Sequence, residues 1–198
     1  MSSLAALHHD GHQHPHRRRQ GRPDFLARLE TMKQLVEFRS EDQDRIAAVA
    51  PLVAGHAGAI AAAFYQGLLA HAETAQPFTG DDGRVDHAQV SARADALQRW
   101  LRLVVEAPLD RQAAEHAAHV GLVHLRGGED TAHPAIKGRY LAAGASLLFA
   151  AIAGVLVEAV DDPRTLAATL VAWHKLLTLY VDIFLAVQAS GSRSPNWY

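Results

Sequence analysis

The chain contains no cysteine. That absence excludes disulfides, iron–sulfur clusters, thiolate zinc sites, cysteine nucleophiles and covalently attached c-type heme, which needs a C-x-x-C-H segment. It also has little net charge, with 19 Lys plus Arg nearly cancelling 21 Asp plus Glu, so no overall field draws it to nucleic acid or an anionic membrane. Strictly alternating β-branched runs are absent, as are G-x-x-x-x-G-K-[ST], G-x-G-x-x-G after a strand, G-x-S-x-G and H-E-x-x-H. No helix-turn-helix with a basic recognition helix is present near the N-terminus. Against these absences stand 13 histidines in 198 residues, 49% of them hydrophobic, a size that suits one domain with a full core. Any metal in this chain must be held by imidazole or carboxylate.

Residues 1–22 carry five of the histidines (His8, His9, His12, His14 and His16) among Arg17, Arg18, Arg19 and Arg22, with almost no apolar periodicity. Such a segment buries too little surface to offset the entropy of ordering, so it reads as a mobile arm. Clustered imidazoles suit Zn, Ni or Cu, but a solvated polar tail is the simpler interpretation. The short apolar Leu4–Leu7 lies ahead of the charges, which is not the order of a secretory signal, and the expectation is a cytoplasmic protein. Residues 191–198 read as a C-terminal tail.

From Phe25 onward the pattern is helical. Ser40 followed by Gln43 predicts a capping box, and Pro51 marks a bend or a new start. A small-residue helix carrying Phe64 and Tyr65 is expected over about 55–70, then a turn at TGDDG (79–83). An amphipathic helix follows over 87–106 with Val90, Leu97, Leu101 and Val104 near one face. Asp110 is the expected N-cap of a helix over 111–126 that stops at Gly127 and Gly128. Two long helices, about 136–160 and 163–188, complete the chain. Residues 141–157 carry no charge, yet lack the flanking aromatic and basic belts of a membrane span; burial on several sides, by the domain and a second subunit, is the expectation.

Glu115, His116 and His119 have partial metal-motif spacing, but a di-iron bundle needs a second Glu-x-x-His, and none exists; the two histidines are expected on a partly exposed face. His124 differs, because the residues four, seven and eleven before it are Val120, Ala117 and Ala113, an apolar stripe aimed into the core. A histidine there is ordinarily a hydrogen-bonded core residue. With Tyr65 supplying a hydroxyl from another apolar helix, one imidazole, one phenol and broad apolar walls also match the needs of a b-type heme.

The segment HVGLVHLRGG (119–128), with LQRWL (97–101) and AFYQGL (63–68), resembles the protoglobins and the globin domains of globin-coupled sensors. The likeness resumes at Pro134 with Arg139–Tyr140–Leu141, and at Ala172–Trp173 with Lys175, so it covers most of the chain except the arm. The resemblance implies an all-α, globin-like fold with an extra N-terminal helix over 23–190, holding heme b non-covalently and binding O2, CO or NO. By the same resemblance His124 binds the iron, Tyr65 faces the ligand beside Phe64, Phe78 wedges the heme, Leu97 and Trp100 lie on the distal side, and Val120 and Ile136 line the proximal side. Arg93 stands where an apolar residue is expected, with three destinations open: a heme propionate, the ligand, or solvent. Gly144 replaces a large aromatic, leaving room beside the heme. Sensing or binding is implied rather than catalysis, although heme also permits nitric oxide dioxygenation or peroxidase turnover. The expected partner is a second copy, docked through the last two helices. The competing interpretation is a non-heme, all-α dimeric regulator.

Overall fold

The computed structural model describes the backbone of residues 24–126 and 138–191 and the side chains of residues 24–123 and 138–190. The arm, Ile136 and the last seven residues therefore lie outside the described residues, and so does the side chain of His124.

Helices alone form the architecture among the described residues: α1 (Phe25–Leu35), α2 (Ser40–Ala48), α3 (Ala50–Gly55), α4 (Ala57–Leu69), α5 (Ala72–Ala75), a 3-10 turn (Gln76–Phe78), α6 (His87–Val104), α7 (Arg111–Arg126), α8 (Gly138–Ala159) and α9 (Pro163–Gly191). Local chemistry sets most boundaries. The Asp24, Asp86, Asp110 and Asp162 side chains accept hydrogen bonds from the backbone N–H groups of Ala27, Gln89, Ala113 and Thr165, capping α1, α6, α7 and α9. Pro51 sits in the first turn of α3, where its missing N–H costs nothing.

The cap of α2 falls one residue earlier than Ser40 and Gln43 predict. Asp42 accepts from the Arg39 N–H at 3.0 Å, while Gln43 donates from its amide to the Ala107 carbonyl at 3.4 Å. Tertiary demand decides this, because Asp42 is 5% exposed and meets Lys175 Nζ of α9 at 2.9 Å. Lys175 also donates to the Glu37 carbonyl at 2.8 Å, where the chain leaves α1 with a positive φ of 52°. A non-glycine residue there costs about 1 kcal/mol, which the lysine offsets. Asp42→Ala would strand the Lys175 ammonium and is expected to lower the unfolding free energy by about 3 kcal/mol in a urea titration with unchanged slope. A loss below about 1 kcal/mol would count against this anchor.

The core centres on α9, which packs against α1, α2, α7 and α8, while α4 lies between α6 and α8. Trp173, Leu176, Leu179, Ile152, Leu156, Ile60 and Leu101 are essentially inaccessible to solvent. Close backbone approach has a stated cause at two glycines. A Cβ on Gly121, inside the V-G-L segment, would lie 3.3 Å from the Phe184 Cα, and one on Gly67 would lie 3.0 Å from the Leu147 side chain. Glycine at these places lets α7 meet α9 and α4 meet α8 closely enough to shape the space between them.

Helix α8 is less enclosed than its composition suggests. Only 28% of its most apolar stretch is buried, against 50% for α9, and Val157 of α8 and Val171 of α9 are more than half exposed. Both helices are long and apolar enough to cross a bilayer by length and composition alone.

Candidate functional site

Six helices and the 3-10 turn line a cavity of about 530 Å³, within the range of cofactor and small-molecule sites. Helix α4 contributes Phe64, Tyr65 and Leu68, the turn contributes Phe78, and α6 contributes Gln89, Arg93, Leu97 and Trp100. From the opposite side come Val120 and Val123 of α7, Gly144 and Leu148 of α8, and Tyr180 and Phe184 of α9. The helical period explains the α6 set, since residues 89, 93, 97 and 100 repeat every three or four positions on one face. On α7, His124 follows Val120 by one turn, which places its backbone on the same side of that helix as the lining residue.

All seven described side chains singled out from the sequence therefore come together: Phe64, Tyr65, Phe78, Arg93, Leu97, Trp100 and Val120 line one cavity. His116 and His119 are exposed, as their place on the helix predicts, but they also reach its rim. No group of three or more metal-ligating side chains occurs among the described residues.

The Tyr65 ring is held edge-on by two neighbours, Phe64 at 5.0 Å and Phe78 at 5.7 Å between centroids. Such perpendicular contacts orient the ring beyond simple burial. Burial pushes the Tyr65 phenol up to about 12, and the positive charge of Arg93 opposes that rise. The hydroxyl therefore keeps its proton throughout the physiological range and is a hydrogen-bond donor, not a phenolate. Gly144 faces Phe64, and an added Cβ would meet that ring at an ordinary contact distance of 3.7 Å, so a methyl would fit there without strain.

Tyr180 is the residue that sequence reasoning missed. Its ring stands perpendicular to Trp100 at 5.2 Å, and burial, opposed by a hydrogen bond with the Trp100 indole, pushes its phenol up to about 12. Its place seven residues after Trp173 and four after Leu176 marks the buried stripe of α9, which was the available signal. Gln89 was also missed, one helical turn before Arg93, and its Oε1 is buried without a hydrogen-bond partner among the described residues.

Both phenols bear on alkaline stability. Unfolded tyrosine titrates near 10, so the native state binds more protons than the unfolded chain above that pH. The contribution is complete below about pH 10 and is lost as pH rises toward the folded value of about 12. Phenolate absorbance should show two late-titrating tyrosines in the native chain, with one removed in each of Tyr65→Phe and Tyr180→Phe. A single step at the ordinary value would contradict the burial.

The whole cavity is apolar walls with a few convergent polar groups, contributed by helices that cross around it. Among solved structures, the globin domain of the Geobacter sulfurreducens globin-coupled sensor superposes with a TM-score of 0.63 at 19% identity, covering 80% of this chain and 95% of that one. That likeness is one of fold. No curated protein matches the sequence. The protoglobin family model matches residues 25–190, a span that takes in α1 and almost all of α9 together with every helix lining the cavity, and the chain accordingly belongs to the protoglobin family.

Proposed function

We propose that this chain is a globin-type gas-binding protein that holds heme b in the 530 Å³ cavity and reversibly binds O2, CO or NO, as a gas sensor or binding protein. Membership of the protoglobin family supports the globin-type role and a heme cofactor. The observation that carries the assignment to this site is the convergence of Tyr65, Phe64, Phe78, Leu97, Trp100 and Val120 on one apolar cavity flanked by the helix that bears His124.

The donor set fits the group. Apolar walls exclude water and receive a flat hydrophobic macrocycle, and with no cysteine in the chain a histidine imidazole is the proposed axial donor. His124 is the proposed iron ligand, with Val120 and Ile136 on its side, and heme iron, when bound, supplies a reversible coordination position for diatomic gases. On the other side Tyr65 keeps its proton and donates a hydrogen bond to a ligand that gathers negative charge, while Phe64 and Phe78 keep the phenol in place. Leu97 and Trp100 close the distal wall.

Residues 23–190 are the proposed gas-binding domain, preceded by the histidine-rich arm. Homodimerisation through α8 and α9 in the cytoplasm completes the proposal, and the outward Val157 and Val171 support it, since a second copy would cover the apolar surface that these helices leave open. Absorption spectroscopy tests the central claim. The purified chain reconstituted with hemin should show an intense Soret band that shifts on reduction and again under CO. A flat spectrum after reconstitution would favour the non-heme dimeric regulator.

A further inference from the structure

Arg93 is the one cation lining the cavity that is half-buried rather than exposed among the described residues; Arg99 and Glu73 also line it but stand exposed at its mouth. The Arg93 guanidinium makes no hydrogen bond or ion pair with any described residue, and its charge acts on the Tyr65 phenol. The Tyr65 hydroxyl likewise has no hydrogen-bond partner among the described residues. One turn before Arg93, the Gln89 side-chain oxygen is buried and unpartnered in the same lining. Three polar groups thus share one apolar space with their hydrogen-bonding capacity unspent. Leaving a guanidinium unpaired beside apolar walls is costly, and an anion entering the cavity removes that cost.

We propose that Arg93 and Tyr65 form a binding subsite for a small monoanion of the azide or nitrite class. The guanidinium supplies charge and N–H donors, the phenol supplies an O–H donor, and the Gln89 amide, turned about its last bond, presents N–H donors as well. This rests on the proposed function in that Tyr65 marks the ligand side of the cavity. It goes beyond that function by giving the same space a preference for charged over neutral ligands, set by a residue standing where an apolar one is expected.

The test titrates the ferric, heme-loaded chain with sodium azide and, separately, with neutral imidazole at pH 8, following the Soret shift. Charge-assisted hydrogen bonds set the scale: Arg93→Leu should weaken azide roughly tenfold to hundredfold and imidazole less than about twofold. Arg93→Lys should retain most of the azide affinity. Equal losses for both ligands, or unchanged azide binding, would overturn the subsite. Faster heme loss with unchanged azide affinity would place Arg93 on a carboxylate of the cofactor, and would overturn it too. Should the chain take up no heme, the proposed function fails separately. The subsite is then read from iodide quenching of Trp100, which lines the cavity: saturable quenching lost in Arg93→Leu supports it, and quenching identical in both chains refutes it.

Discussion

Replacing His124 with alanine is expected to abolish the Soret band of the reconstituted chain while leaving its helical circular dichroism intact. The expectation is large because the chain has no cysteine for a covalent attachment. With no cysteine there is no thioether tether, so retention of heme rests on axial ligation and apolar burial. Burial alone leaves an exchangeable hydrophobic guest. Added imidazole, which replaces the missing side chain, should restore the band in His124→Gly. His116 and His119 lie on the same helix and reach the rim of the same cavity, which gives the experiment a sharp alternative. A band that survives in His124→Ala and disappears in His119→Ala would move the iron ligand to His119 and sink the present assignment.

Tyr65→Phe is expected to speed O2 release about tenfold to hundredfold and to change CO release far less. A hydrogen bond to an acceptor carrying charge is worth about 1.5 to 3 kcal/mol, and each 1.4 kcal/mol is a factor of ten. O2 draws negative charge on binding and CO draws little, so only the first gas uses the donor. The substitution removes one oxygen atom and leaves the ring to keep its contacts with Phe64 and Phe78, so the cavity wall should hold its shape. Stopped-flow release rates for both gases decide the matter. Equal acceleration of O2 and CO would mean that the phenol acts through packing alone.

Arg93 shows how partial the sequence is as a guide to a site. Its departure from an apolar position was visible in one dimension, but three destinations for its side chain were open. The structure removes solvent as its sole environment, because the side chain is half-buried, lines the cavity and opposes the burial effect on the Tyr65 phenol. Gln89 sits on the same face of α6 and gave no comparable signal, since a glutamine near a helix start looks like solvated surface. Its oxygen is buried only once the helices pack around the cavity that Gln89 lines. Tyr180 was hidden by the same cause: aromatic residues on a core stripe are common, and only the approach of α6 to α9 brings Trp100 against it.

What the sequence by itself determined is local. Capping carboxylates and helical periodicity are properties of neighbours within a few residues, so α7 has the predicted bounds of 111–126 and Asp110 is its cap. The stripe of α6 is readable for the same reason, and the lack of cysteine is read directly from the residues. What only the tertiary structure decided is where helices cross. The cap of α2 shifted to Arg39 and Asp42 because Lys175, 133 positions away along the chain, required a buried carboxylate. The cavity depends on how closely α7 meets α9 at Gly121 and α4 meets α8 at Gly67, and α8 keeps an open apolar face because no described element covers it. Such features come from several helices packing at once, and no window of a few residues contains that information.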